Sequence, residues 1–510
     1  MATLMSRNYL EKILRARVYD VARETPLEFV PRLSDRLETN IWLKREDMQS
    51  VFSFKLRGAY NKIYNLSEKQ KKQGVIAASA GNHAQGVALA GKRLGVPSLI
   101  VMPTTTPPIK VQTVRKLGAR IILHGDSYDD AYEHAKSLVK EKGLVFVHPF
   151  DDPDVIAGQG TVAMEVLRQH EDPIEAIFIP VGGGGLIGGM AAYIKRVRPE
   201  IRVIGVEPED TPTLQRALAA GRRVSLKQIG LFADGVAVRQ IGKETFKLAR
   251  QYVDDVVLVT TDEICAAIKD IYDDTRSVAE PAGALGIAGI KKYLQKKKSR
   301  RGNLVTILSG ANINFDRLRH VSERAELGEQ REALFAVEIP ERPGSFLSFC
   351  RLLGKRNITE FNYRYHDDVR AHVFCGMELS RGAEERNSII ERLQQKEFGI
   401  TDLTDNETAK LHIRYMVGGH APQVKNERLF RFVFPERPGA LLDFLAGLSR
   451  GWNISLFHYR NHGAAYGRVL VGVQLHGTQV TEFRAYLKDL GYRYHEETDN
   501  PAYQLFAGAG

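Results

Sequence analysis

The sequence predicts an α/β protein whose first part is built on parallel sheets covered by helices and whose last part holds two small ferredoxin-like α+β modules. Three observations predict it. From Ile41 to Leu308 short apolar runs alternate with helix-period segments, the pattern of strands joined by crossover helices. Beyond about Asp316 that alternation stops. There the chain repeats itself: Leu334-Phe335 and Pro340-Glu341-Arg342-Pro343-Gly344 return as Leu429-Phe430 and Pro435-Glu436-Arg437-Pro438-Gly439.

Composition sets the outer limits. A chain of 510 residues is too long for one core, and 43% hydrophobic with 26% charged residues describes a soluble protein of several domains. No apolar run approaches the roughly 20 residues of a membrane helix. The segment Asn8 to Ala22 reads as a polar amphipathic helix bearing Glu11 and Asp20, unlike a signal or transit peptide, so a cytoplasmic protein is expected. Cys265, Cys350 and Cys375 have neither metal-ligand nor disulfide spacing and read as packing residues. The net charge of +11 is spread among acids, and the densest basic run, Lys291 to Arg301, reads as a solvated loop rather than a nucleic-acid patch.

In chain order, Ser53-Phe54-Lys55-Leu56-Arg57-Gly58-Ala59 comes first, with a lysine at the start of a helix expected over Leu56 to Asn65. An amine attacks a carbonyl only when neutral. Apolar neighbours and the positive end of a helix both lower a lysine's pKa, which suits Lys55 to Schiff-base chemistry. Strands follow at Val75 to Ala78, Ser98 to Met102, Ala119 to Leu123, Leu144 to Val147, Ala176 to Val181, Arg202 to Glu207 and Leu304 to Leu308. Helices between them are expected at Ala84 to Leu94, Ile109 to Leu117, Tyr128 to Glu141, Gly160 to Arg168 and Leu186 to Val197.

Ligands collect beyond the carboxyl ends of such strands. Three strand ends lead into loops with chemistry: Ser79-Ala80-Gly81-Asn82-His83-Ala84-Gln85-Gly86, Gly182-Gly183-Gly184-Gly185-Leu186, and Ser309-Gly310-Ala311-Asn312. All three are expected on one sheet edge. Four glycines between a strand and a helix expose backbone N–H groups to an anion such as phosphate. Gly183-x-Gly185-x-x-Gly188 also satisfies the dinucleotide fingerprint, with Glu207 where a ribose-binding acid would stand. That alternative leaves Lys55 and Asn82 without employment. The N–H groups of the Ser79 loop suit a carboxylate, Asn82 can donate and accept, and His83 reads as a loop stabiliser ahead of an acid or base.

Together these motifs resemble the β-family (fold type II) of pyridoxal-phosphate enzymes, and within it the biosynthetic threonine ammonia-lyases, over nearly the whole chain. The resemblance implies pyridoxal 5'-phosphate as cofactor. Lys55 would carry it and move the substrate's Cα proton, Asn82 would bond its ring hydroxyl, Gly182, Gly183, Gly184, Gly185 and Leu186 would hold its phosphate, and Ser309 would face its ring nitrogen. Ser79, Gly81, Asn82 and His83 would surround the substrate carboxylate. Glu280 would stand near the ring in a role the resemblance leaves open. No metal is implied. Racemase-like members carry a second serine where this chain has Ala80, so racemisation is expected to be poor. The substrate implied is L-threonine, with L-serine the near alternative. A nicotinamide-dependent dehydrogenase and a non-catalytic amino-acid sensor are the rival classes.

The expected organisation is a catalytic domain over 1–316, a helical connector over 317–332, and regulatory modules over 333–408 and 428–506. Each module reads strand, Pro-Gly turn, helix, strand, strand, helix, strand. Phe346, Phe349, Leu352 and Leu353 form the first copy's helix core, matched by Leu441, Leu442, Phe444, Leu445 and Leu448 in the second. The resemblance implies that these ACT-like modules bind isoleucine as inhibitor and valine as its opponent, and that the protein is a homotetramer. The Pro340 to Gly344 and Pro435 to Gly439 loops, with Phe346 and Leu441, are the expected pocket walls.

Overall fold

The computed structural model describes residues 9–500 apart from 231, 297–301, 316, 341–343, 355, 365–369, 407–408, 411–412, 416–420, 422–423, 436–441, 443, 447–451, 461–465 and 491–492. The chain divides into two compact units, Met1–Gly328 and Glu329–Gly510. Among the described residues no helix is long and apolar enough to cross a membrane.

The strands of the first unit are β1 (Leu27–Phe29), β2 (Asn40–Arg45), β3 (Val75–Ala78), β4 (Ser98–Met102), β5 (Arg120–Leu123), β6 (Val145–Phe146), β7 (Ile174–Pro180), β8 (Arg202–Pro208), β9 (Asp255–Val259) and β10 (Asn303–Leu308). They form two sheets. One runs β1-β2-β10-β7-β8-β9, parallel except for β1, and the other β5-β4-β3-β6, parallel throughout. The expectation of one shared sheet edge is therefore corrected. Strand period alone does not say which strand pairs with which, and the chain leaves the larger sheet after β2, builds the smaller one, and returns at β7. β10 then inserts between β2 and β7 with Thr306 beside Leu43 and Phe178.

The helix Lys55–Tyr64 packs on helices Asn82–Leu94 and Pro153–Gln169. Leu56, Ala59, Tyr60 and Ile63 are its buried apolar residues. It approaches Pro153–Gln169 backbone to backbone: a Cβ on Gly158 would stand 2.7 Å from the Arg57 carbonyl, and one on Gly58 2.7 Å from the Val155 carbonyl. No larger residue fits that crossing.

Two helices differ from expectation. The N-terminal one ends at residue 14 rather than Ala22, leaving Val18 and Ala22 buried in irregular backbone. The one expected at Gly160 to Arg168 begins earlier, at Pro153, where Asp152 caps it by accepting from Asp154 N at 2.9 Å and Val155 N at 3.3 Å. The charged segment after residue 316 is helical over Arg317–Gly328 and belongs to the first unit, packed on helix Thr261–Thr275 through buried Val321 and Ala325.

In the second unit the two copies share one antiparallel sheet. Its strands are β11 (Glu332–Pro340), β12 (Ile358–Arg364), β13 (Arg370–Glu378), β14 (Gly399–Asp402), β15 (Glu427–Pro435), β16 (Asn453–Arg460), β17 (Tyr466–Gln474) and β18 (Arg493–Glu496), in the order β14-β11-β13-β12-β16-β17-β15-β18. The copies join along β12 and β16, with Asn362 opposite His458. The order reads the same from either edge, as two copies related by a local twofold require. Phe346, Phe349, Leu353, Phe444 and Leu445 are buried and Leu352 and Leu442 pack beside them. Leu441 and Leu448 lie outside the described residues, as do most of the two Pro-Gly loops expected to wall the effector pocket.

Candidate active site

Lys55 is the first residue of its helix. Two contacts with the loop after β10 set its position: Phe54 N donates to Ser309 O at 3.3 Å, and Ala311 N donates to Phe52 O at 2.9 Å, while Ser53 and Gly310 form an isolated bridge. Lys55 Nζ reaches the Pro149 carbonyl at 3.1 Å and lies 5.3 Å from the centre of the Phe54 ring. Burial brings its ammonium down to about 8, against the opposing pull of the Glu280 carboxylate. A sizeable share of this amine is neutral near physiological pH.

The cavity in front of Lys55 has a volume of about 440 Å³ with its mouth included. Lys55, Asn82, Gly182, Gly183, Gly184, Gly185, Leu186, Glu280 and Ser309 all line it, together with Phe54, Phe150 and Val236. Ser79, Gly81 and His83 share the turn that carries Asn82 but are not among the lining residues.

The glycine turn connects β7 to helix Gly185–Val197, and its shape requires glycine. Gly184 has φ +89°, a left-handed conformation costly for other residues. A Cβ on Gly183 would fall 2.2 Å from the Phe150 ring, and one on Gly182 2.9 Å from Val236 Cα. The turn is held from outside: Thr245 Oγ1 donates to Gly183 O at 2.7 Å, and Asp151 accepts from the N–H groups of Lys243, Glu244 and Thr245 at 2.7, 2.8 and 3.2 Å. Asp151 thereby caps the helix Lys243–Tyr252 that carries Thr245. The result is a cradle at a helix N-terminus that no side chain fills, the form an anion needs.

Asn82 begins helix Asn82–Leu94. Its Nδ2 donates to Glu280 Oε1 at 2.6 Å, and its Oδ1 accepts from Asn312 Nδ2 at 2.7 Å. Glu280, at the N-terminus of helix Pro281–Gln295, is buried; desolvation and the charge of Asp234 push its carboxyl up to about 7, against the Asn82 hydrogen bond. Ser309 is buried, with Oγ 3.4 Å from the Ala282 carbonyl. His83 Nε2 donates to Val147 O at 2.8 Å; burial and the Lys55 charge bring the ring down to about 3, so it is neutral. That bond ties the turn carrying Asn82 to the strand end at Val147.

Glu207 bears on the dinucleotide alternative. It is fully buried and accepts from Thr213 Oγ1 at 2.9 Å, Leu214 N at 2.7 Å and Gln215 N at 2.9 Å. A carboxylate committed to a helix start inside the protein has no oxygen to offer a ribose. Of the fingerprint glycines, Gly183 and Gly185 serve the turn at Phe150 instead, and Gly188 faces Leu248.

Sequence reasoning missed several contributors. Asn312 was read only as part of a motif, and Phe150 and Asp151, which shape and hold the glycine turn, carry no local signature. Arg57 has no role in the lysine motif as a sequence, yet it is fully buried against Glu46 and Glu165.

The residues present fit pyridoxal phosphate: an amine of lowered pKa, an unfilled anion cradle, a donor amide and a buried hydroxyl share one cavity. Two largely parallel sheets whose strand-end loops meet at this cavity define, as a class, a pyridoxal-phosphate enzyme of the β-family. Residues 18–310 match the family model described as pyridoxal-phosphate dependent enzyme, and residues 323–413 and 418–507 match the C-terminal regulatory domain of threonine dehydratase. The L-threonine dehydratase biosynthetic IlvA of Burkholderia multivorans is 57% identical over 99% of this chain and 100% of its own length; that of Escherichia coli is 55% identical over 98% and 96%. Among solved structures, the processed form of threonine deaminase isoform 2 from Solanum lycopersicum is 51% identical, with a TM-score of 0.62, over 63% of this chain and 93% of that one. The chain belongs to the biosynthetic threonine dehydratases, also called threonine ammonia-lyases.

Proposed function

We propose that the chain converts L-threonine to 2-oxobutanoate and ammonia, the first step of isoleucine biosynthesis, under feedback inhibition by isoleucine that valine opposes. The observation that carries the catalytic reading is the convergence of Lys55, Asn82, the glycine turn, Glu280 and Ser309 on one cavity. Bound pyridoxal phosphate supplies an electron sink next to the substrate's Cα. The phosphate is assigned to the turn Gly182 to Leu186, the ring hydroxyl to Asn82 and the ring nitrogen to Ser309. Lys55 would be the attachment point and, with its amine free, the base that accepts the substrate's Cα proton. Ser79, Gly81, Asn82 and His83 are assigned to the substrate carboxylate, His83 acting by holding the turn.

A hydroxyl at position 309 favours a protonated ring nitrogen less than a carboxylate would. Electron withdrawal stays modest, which favours loss of the β-hydroxyl over transamination. Loss of the Cα proton and the β-hydroxyl as water leaves an enamine that tautomerises and hydrolyses to the keto acid and ammonia. Serine lacks only the β-methyl group, a difference worth about 1–3 kcal/mol in a pocket, so it is expected as a slower substrate.

Catalysis is assigned to the first unit and effector binding to the paired modules of the second, with the helix Arg317–Gly328 as the path between them. An effector acts only by binding two states unequally. The protein is taken to work as a cytoplasmic homotetramer. Keto-acid release from threonine and serine, with and without isoleucine, tests the whole reading. Release from threonine that isoleucine suppresses and valine restores is expected; indifference to isoleucine would remove the regulatory half.

A further inference from the structure

Asn312, four residues beyond β10, is used by none of the roles assigned above. Its Nδ2 lies 2.8 Å from Val51 O and 2.7 Å from Asn82 Oδ1. Which end of an amide is nitrogen is ordinarily decided by its partners, and here one partner decides for two residues. A backbone carbonyl only accepts, so the Asn312 atom beside Val51 must be the nitrogen. That nitrogen also reaches Asn82, so Asn82 must turn its oxygen toward Asn312. The remaining end of the Asn82 amide, its NH₂ group, is left facing the cavity beside Glu280 Oε1 at 2.6 Å.

We infer that Asn312 is a positioning residue that locks the Asn82 amide so that only a hydrogen-bond donor faces the cofactor's ring. This rests on the assignment of Asn82 to the ring hydroxyl. A ring oxygen placed against a fixed donor must accept, and its deprotonated form is the better acceptor. The Asn312 backbone also acts to lower the Glu280 pKa, so one residue bears on two of the cavity's polar groups. The charged groups around them are Lys55, Glu280 itself, and Asp234 and Lys110, which act on Glu280.

The test is the visible absorption of the holoenzyme followed against pH, which reports the proton shared by the ring oxygen and its neighbour. Without the fixed donor the deprotonated oxygen is less favoured. Asn312→Ala is expected to raise the titration midpoint by about one pH unit, a tenfold change in the equilibrium. Asn312→Asp keeps the shape but offers only acceptors, so Asn82 must turn its NH₂ toward it; the midpoint is expected to rise at least as far. Because this second variant fills the same space, it reads the inference even if the alanine variant folds poorly. An unchanged midpoint in the aspartate variant overturns the inference. Asn82→Ala separates the two levels: if it moves the midpoint while both Asn312 variants do not, the positioning role fails and the Asn82 assignment stands. If it does not move the midpoint either, both fail.

Discussion

Arg57 and Glu165 meet at 2.6 Å with both side chains fully withdrawn from solvent, two residues along the helix from Lys55. Glu46 takes the other side of the guanidinium at 2.7 and 2.8 Å, Thr161 Oγ1 lies 3.1 Å from Nη1, and Lys44 meets Glu165 at 2.6 Å. Two cations thus balance two carboxylates. Such a group is costly to bury but costlier to break, because removing one member strands the others. Arg57→Met is expected to lower stability by about 3–5 kcal/mol in chemical unfolding. A loss within the range of an exposed ion pair, about 1 kcal/mol or less, would show that the cluster does not anchor the lysine helix.

Gly183 and Phe150 give a second prediction. A methyl group at 183 falls into the Phe150 ring, so Gly183→Ala must move either the ring or the cradle. Cofactor affinity is expected to fall at least tenfold, about 1.4 kcal/mol, measured by fluorescence titration of the apoprotein. The double variant with Phe150→Ala should recover part of the loss. Undiminished affinity in Gly183→Ala would remove the turn from the phosphate site.

Lys55 predicts a pH profile. Its folded pKa is about 8, below the ordinary lysine value, and only the neutral amine attacks. The rate at which apoprotein captures the cofactor should therefore climb as pH rises through about 8 and level off about one unit above. A rate still climbing at the ordinary lysine pKa of about 10.4 would mean that burial does not lower this amine.

The two units predict a separable effect. The first has its own buried cores and includes the helix Arg317–Gly328. A chain ending at Gly328 is expected to deaminate threonine with no response to isoleucine in the keto-acid assay. An isoleucine response in that shortened chain would move the effector site out of the paired modules.

The legible parts of this protein were those whose signal is local. Val75–Ala78 and Ser98–Met102 are strands where their apolar runs place them, and Asn82, the four glycines and Ser309, which line one cavity with Lys55, stand where small residues interrupt the pattern at strand ends. What was not legible depends on pairing between distant segments. The split into two sheets, the insertion of β10 beside β2 and the joining of the modules along β12 and β16 leave no mark on strand period. Lys44, Glu46 and Glu165 look like ordinary surface charges until the fold places Arg57 among them. Glu207 resembled a ribose ligand because its position in the chain is right; only the fold shows its oxygens already occupied.

Attachment of the cofactor to Lys55 is read by chemical reduction of the holoenzyme. Borohydride fixes the cofactor to its amine, and peptide mapping by mass spectrometry then locates the adduct. The label is expected on the peptide containing Lys55 and absent from Lys55→Ala. A label on any other lysine, or none at all, would contradict it.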